Sequence, residues 1–180
     1  MIASDLHGSY FYASQMQQAF EREQADRLLL LGDLLYHGPR NDLPEGYAPK
    51  QVMPLLNGMK DRLLCVRGNC DARWTRWCWN SRCWQTMPCC RWADGWCTPP
   101  TAMSTTPRPR RRWSPATSCC TGTPTSRRGS FGQGSLYLNP GSVSLPKEGS
   151  AHSYMTLENG CFRWKTMDGR TYHELTLSET

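Results

Sequence analysis

The chain has 180 residues, a formal charge of +6 and ten cysteines, which is length enough for one domain with a real core. No apolar run is long enough to span a membrane and no stretch has the order of a secretory signal, so a cytoplasmic protein is expected and a secreted disulfide scaffold is not. The charge, which would suggest nucleic acid as a partner, is local: residues 73–130 hold ten Arg against the single acid Asp94, together with seven Cys and seven Trp, while the other 122 residues carry 11 basic and 14 acidic side chains.

The first element is barely longer than its own end. Ile2-Ala3-Ser4 runs into Asp5-Leu6-His7-Gly8. Residues two apart in a strand face the same side, so Asp5 and His7 at a strand end could both face one metal ion. A carboxylate with an imidazole suits Mn, Fe, Zn or Co better than Ca or Mg. Tyr12, Met16, Ala19 and Phe20 then recur at helical spacing, which predicts an amphipathic helix over 11–24. Leu28 to Leu31 is a buried parallel strand by pattern and ends in Gly32-Asp33. A turn-rich loop follows, His37-Gly38-Pro39-Arg40-Asn41, and then Pro44-Glu45-Gly46. A second helix is expected over 48–59, with Pro49 suited to its first turn and Pro54 a weakness inside it. Leu63 to Val66 is a third strand, ending in Arg67-Gly68-Asn69-Cys70-Asp71. Three strands alternate with two helices, and each strand ends in a polar cluster. Ligands of open α/β sheets gather at the carboxyl ends of strands, so the three clusters should meet.

With Asp5-x-His7, Gly32-Asp33 and Gly68-Asn69-Cys70-Asp71 in this order, the chain resembles the calcineurin-like metallophosphoesterases. The Gly-Asn-Cys-Asp sequence, the 37–41 loop and Asn139-Pro140-Gly141-Ser142-Val143-Ser144 are similar to the YfcE-type bacterial phosphodiesterases within that superfamily. The resemblance covers residues 1–72 and 131–180. It implies one α/β domain over residues 1–180, with two β-sheets flanked by helices in four layers. It also implies a hydrolase that cleaves phosphodiesters with two divalent ions, Mn being expected. By the family pattern Asp5 and His7 hold one ion, Asp33 bridges both and Asn69 holds the second. Two such ions activate a water and stabilise the phosphoryl oxygens during in-line displacement. Cys70 stands where many relatives have His, a replacement usual in the YfcE-type branch that favours diesters whose leaving group needs little protonation. Metal-activated water is preferred to Cys70 as the nucleophile. The family's first strand normally has a few more residues before its Asp, which should weaken the strand carrying Asp5.

The same resemblance implies three further His, in Thr-His-Gly-His and Gly-His-Thr-His motifs. The chain has only His7, His37, His152 and His173. The motifs belong in 73–130, a segment with no Leu, Ile, Val, Phe, Tyr, His, Glu or Lys. No globular core of that length lacks every branched aliphatic, and a simple linker would not carry seven Trp. A shifted reading frame accounts for this. Joining the third base of each codon to the first two of the next lets Cys120 to Ser126 read His-Gly-His-Thr-His-Ile, and Cys97 to Met103 read Tyr-Ala-Thr-His-Gly-His. One base lost near codon 72 or 73 and one gained near 127–130 keep the length normal. As written, 73–130 should be disordered or non-native, and the chain impaired as an enzyme.

After that segment Ser135 to Leu138 is a strand by pattern. Ser153–Glu158, Cys161–Thr166 and 170–177 follow as strands, with Asn159-Gly160 and Asp168-Gly169 as hairpin turns. His152 and His173 are expected to be ordinary strand or loop histidines. Arg40 and His37 are the candidates for contacting a substrate phosphate, Arg40 bidentately if exposed. The expected partner is a small phosphodiester, with no membrane and with a homo-oligomer left open. The rival is an inactive metallophosphoesterase-fold scaffold in which Arg108-Pro109-Arg110-Arg111-Arg112 and the neighbouring Trp bind nucleic acid.

Overall fold

Two leucine runs form the centre of the molecule. In this computed structural model, which describes residues 1–72, 78, 90–92, 95–97, 117–120, 129–132 and 135–177, Leu28–Leu30 (β2) lies between β1 (Ile2–Ala3) and β3 (Leu63–Cys65), all three parallel. Helix α1 (Tyr10–Arg22) connects β1 to β2, and α2 (Pro49–Gly58) connects β2 to β3. Both helices fall within two residues of the spans that the apolar spacing predicts.

Ser9 starts α1 by accepting a hydrogen bond from the Tyr12 N–H at 3.1 Å, an N-cap that satisfies one of the helix's orphan donors. Pro54 does not break α2. Its ring faces solvent, while Val52 and Leu56 on the other side are buried against the sheet.

Beyond the chain's middle, Ser153–Glu158 (β9), Cys161–Thr166 (β10) and Thr171–Thr176 (β11) form an antiparallel meander. It joins the parallel part where β9 pairs with β1, giving a six-stranded mixed sheet in the order β11-β10-β9-β1-β2-β3. β1 is only two residues long, yet it is buried and paired on both sides. The β9–β10 turn is Asn159-Gly160, both at positive φ as a tight hairpin requires.

A second sheet has the order β4-β5-β6-β8-β7, built from Cys90–Trp92 (β4), Gly95–Cys97 (β5), Thr117–Cys120 (β6), Gly129–Gly132 (β7) and Ser135–Leu138 (β8). The 73–130 segment therefore contributes regular backbone at these short strands. The expectation that it is disordered falls otherwise on residues outside those described, as do Arg108 to Arg112.

Strand alternation sorts the core into two layers. Ala3, Leu28, Leu30 and Tyr154 face the helices and pack with Ala13, Met16, Ala19, Phe20, Val52 and Leu56. Ile2, Leu31, Met155, Phe162 and Trp164 gather on the opposite side with Leu138 of β8. The architecture is thus α/β, with helices on one face of the mixed sheet and the second sheet on its other side. The fourth, outer layer of the expected arrangement falls outside the described residues. Among the described residues no helix is long and apolar enough to cross a membrane.

Candidate metal centre

The three polar clusters do meet. Beyond β1 and β2 the backbones stay laddered, with the His7 N–H donating to the Asp33 carbonyl at 2.8 Å and the Gly8 N–H to Leu34 at 2.9 Å. Asp5, His7 and Asp33 all take left-handed backbone conformations, at φ 61°, 47° and 55°. That region is uncommon for residues other than Gly, although Asp and His are enriched there, and it collects at functional sites.

Two neighbours hold these conformations in place. The Ser144 N–H and hydroxyl both donate to the Asp5 carbonyl, at 3.1 and 2.7 Å, and the Val143 N–H donates to Ser4. The Asn139 to Ser144 loop thereby clamps the end of β1. Asp71 does the same for the end of β2. Its carboxylate accepts from the Asp33 N–H at 2.7 Å, the Leu34 N–H at 2.9 Å and the Gly68 N–H at 2.9 Å. The loops approach so closely that a Cβ on Gly68 would lie 2.0 Å from Asp33 Oδ1.

The side chains then converge. Asp33 Oδ1 accepts from the Cys70 N–H at 2.8 Å. His7 Nδ1 donates to the Tyr36 carbonyl at 2.8 Å, and Nε2 is left 3.4 Å from Asp5 Oδ1. One oxygen of Asp33, one ring nitrogen of His7 and Cys70 Sγ all lie within 4.8 Å of one another. Asn69 is exposed at the rim, its amide donating to Cys70 Sγ at 3.3 Å.

Of the other two candidates, Arg40 is exposed on the 37–41 loop. His37 stands with its ring against Tyr36 and Tyr47, and its Nδ1 is buried without a hydrogen-bond partner among the described residues. Gly38, next to it, faces Cys70.

Charge is concentrated here and poorly balanced. Burial pushes the carboxyls of Asp5, Asp33 and Asp71 above their ordinary range, and the neighbouring Asp5 raises Asp33 further. Burial opposes a charge on His7, but the hydrogen bonds to Asp5 and Tyr36 outweigh it and raise its pKa. Burial and the Asp33 carboxylate push the Cys70 thiol up to about 12. Among the described residues the only ion-pair partner of these carboxylates is His7. Among the described residues, Asp5 Oδ2 is buried without a hydrogen-bond partner. Clustered carboxylates, an imidazole fixed by its far nitrogen and an orphaned buried oxygen fit a divalent cation.

Asp71, Ser144 and the Tyr36 carbonyl are functional groups that sequence spacing did not single out. Asp71 had a signal, an acid directly after Gly-Asn-Cys at a strand end. Ser144 stands in the Asn139 to Ser144 stretch that carries the resemblance, with no role assigned to it, and the Tyr36 carbonyl had no signal.

A two-sheet α/β fold with a carboxylate–imidazole cluster at its strand ends defines a phosphoesterase architecture. The chain belongs to the calcineurin-like phosphoesterase family, whose pattern matches residues 1–178, and that family binds divalent metal ions. Among curated proteins it is similar to "Phosphodiesterase YfcE" of Escherichia coli, in strain K12 and in O157:H7. Each is 49% identical over 72 residues, or 40% of this chain and 39% of the relative's length. Among solved structures it superposes on YfcE, described as a phosphoesterase from E. coli, with TM-score 0.81 at 27% identity, covering 99% of this chain and 98% of that one. A predicted phosphoesterase from Streptococcus pneumoniae TIGR4 shares the fold at TM-score 0.53 and 15% identity, over 98% and 95% of the two chains.

Proposed function

We propose that the lineage of this chain is a metal-dependent phosphodiesterase acting on small phosphodiesters in the cytoplasm, with two divalent ions, Mn by preference. The observation that carries the proposal is the convergence of His7, Asp33 and Cys70 within 4.8 Å beside Asp5 Oδ2, which has no hydrogen-bond partner among the described residues. Asp5 and His7 would hold one ion, Asp33 would be shared, and Asn69 would serve the second. When bound, the ions supply Lewis acidity to the phosphoryl oxygens and lower the pKa of a water.

The chain's own residues prepare that chemistry. The Tyr36 carbonyl holds the proton on His7 Nδ1 and leaves the Nε2 lone pair free for an ion. Asp71 fixes the backbone that carries Asp33. Burial and the Asp33 carboxylate disfavour a Cys70 thiolate, which favours water over Cys70 as the nucleophile. His37 and Arg40 are the side chains offered to the substrate phosphate from the 37–41 loop.

We also infer that the chain as written is impaired, because three family His are missing and 73–130 is read in a shifted frame. The concentration of identity in 72 residues, 49% there against 27% over nearly the whole superposition, supports this.

The test is hydrolysis of bis-p-nitrophenyl phosphate with Mn. The chain as written should stay near background. A version with the frame restored should turn over, and Asp33→Ala in it should lower the rate at least about a hundredfold. Mn-dependent turnover by the chain as written, lowered by Asp33→Ala, would overturn the impairment. A restored chain that folds but binds no metal would overturn the ligand assignment.

A further inference from the structure

The start of α1 carries more aromatic surface than the core uses. Tyr12 packs against the core and stacks on the His152 ring at 4.3 Å. Tyr10 and Phe11 stay 39% and 41% exposed. Phe11 is nonetheless held in place: Tyr12 braces its ring edge-on at 5.0 Å, and a Cβ on Gly46 would lie 2.6 Å from Phe11 Cβ. With Tyr47, these two rings line a groove of about 630 Å³ between α1 and the start of α2. That volume falls in the roughly 300–1,000 Å³ range of small-molecule sites. Its polar lining comes from the amides of Gln15 and Gln18 on α1 and Gln51 on α2, and no charged side chain lines it.

The groove leads off from the metal end. Gly8 follows the candidate ligand His7, and its carbonyl accepts from the Ala48 N–H at 2.8 Å, while the Tyr10 N–H donates to the Gly46 carbonyl at 2.9 Å. Tyr47 is the shared wall. A Cβ on Gly8 would lie 2.6 Å from Tyr47 Cε2, and the Tyr47 ring meets His37 edge-on at 5.4 Å. His37 in turn meets Tyr36 at 4.8 Å, and the Tyr36 carbonyl holds His7. A line of rings thus runs from the metal end, Tyr36 to His37 to Tyr47, and Tyr47 lines the groove with Tyr10 and Phe11.

The lining chemistry narrows what fits. Aromatic faces stack on flat rings. Side-chain amides both donate and accept, which matches the mixed donor and acceptor edge of a nucleobase. A charged group would find no counter-charge there, and a plain alkyl group would leave the amides unused.

We infer that this groove is a subsite for one ester arm of the diester, and that the arm it takes carries a flat, uncharged heteroaromatic ring of the nucleobase kind. The phosphate would sit at the metal end and the ring beyond Tyr47, against Phe11 and the amides. This assignment rests on the phosphodiesterase proposed above, and the two can fail separately.

Adenosine, which has the ring and no phosphate, is titrated without metal into the full chain and into its frame-restored form, which keeps every groove residue. The restored form decides the matter should the chain as written not fold. Saturation-transfer NMR should show the adenine protons contacted more strongly than the ribose protons. Phe11→Ala and Gln15→Ala should each weaken adenosine binding at least about fivefold. Tyr172→Ala, at an exposed ring on β11, should leave it unchanged. In the restored form with Mn, Phe11→Ala should raise KM for thymidine 5′-p-nitrophenyl phosphate at least about fivefold at unchanged kcat, the mark of lost uniform binding. No contact with the adenine protons, ribose bound as well as adenosine, or a KM indifferent to Phe11→Ala would overturn the subsite and leave the phosphodiesterase standing. A Phe11→Ala chain that turns from dimer to monomer, with adenosine unbound, would give the groove to a second copy instead. Adenosine bound by a restored chain that shows no Mn-dependent hydrolysis of bis-p-nitrophenyl phosphate would overturn the phosphodiesterase, and the ester arm with it.

Discussion

Asp71 accepts three backbone N–H groups from two loops and touches no proposed substrate. It shows how the site is held at the scale of a single residue. The Asp33 and Leu34 bonds are buried and the Gly68 bond partly so, and an unsatisfied buried donor costs about 1–3 kcal/mol. Asp71→Asn keeps the shape but replaces one acceptor oxygen with a donor that faces an N–H. The variant should lose roughly 2–4 kcal/mol of stability in a denaturant titration. In a frame-restored background its Mn affinity by calorimetry should fall about 10- to 100-fold, the usual effect of removing a group that orients a ligand. An unchanged affinity would show that the Asp33 conformation does not need Asp71. The Asp71 carboxylate itself was visible in the sequence as the last residue of Gly-Asn-Cys-Asp. Its task was not, since its partners Asp33 and Leu34 lie 38 and 37 positions away.

The helices and strands were legible where apolar spacing or runs were strong, as in α1, β2 and β10. Their mutual anchoring was not. α1 begins at the Ser9 cap, one residue after Gly8 of the site loop, so whatever fixes α1 also fixes that loop. Its far end is tied to the meander by Glu23, which meets Lys165 Nζ at 2.5 Å and accepts from the Tyr154 hydroxyl at 2.7 Å. Arg22 adds bonds to that hydroxyl and to the Met167 carbonyl. Burial pushes the Glu23 carboxyl up, but the Lys165 and Tyr154 hydrogen bonds outweigh it and hold it below the ordinary value of 4.5. A carboxyl lowered in the folded state favours folding above its unfolded pKa, and that contribution is lost as pH falls through the folded value. Stability measured by urea titration should thus drop as pH falls from above 4.5 through the lowered pKa of Glu23. Glu23→Gln should be less stable at neutral pH and should show a flatter profile in that window. An identical profile in the variant would remove Glu23 as the source. Glu23 and Lys165 lie 142 positions apart, and no local pattern in the sequence pairs them.

For the whole molecule, the decisive property is the composition of 73–130, which offers no branched aliphatic side chain to either layer of the core. The described core draws instead on residues 1–66 and 138–164. Each missing buried Leu or Val costs on the order of 2–5 kcal/mol, and several such losses exceed the roughly 5–15 kcal/mol that holds a domain together. The chain as written should melt over a broad range, with 73–130 cut first by a low dose of protease. Adding one base near codon 73 and removing one near codon 128 should give a sharp, cooperative melt and a protease-resistant segment. A cooperative melt of the uncorrected chain, with 73–130 protected, would overturn the shifted-frame explanation. Salt-sensitive binding of single-stranded DNA that is lost on deleting 73–130 would instead favour the scaffold reading.

The sequence by itself determined the candidate ligand residues, the order of strand, helix and strand, and the family, because all three depend on short motifs and local periodicity. Asp5, His7, Asp33 and Asn69 each sit just past an apolar run, and parallel strands bring such ends to one edge whatever the rest of the chain does. Only the tertiary structure decided how those residues are held. The Ser144 hydroxyl reaches the Asp5 carbonyl across 139 positions and the Trp164 indole donates to the Asn139 carbonyl from β10. Likewise, it is folding that leaves Asp5 Oδ2 without a hydrogen-bond partner among the described residues and brings Cys70 sulfur within 4.8 Å of a His7 ring nitrogen. No periodicity encodes such contacts. They arise when burial strips water from polar groups and each must find its partner among whatever the packed layers bring near.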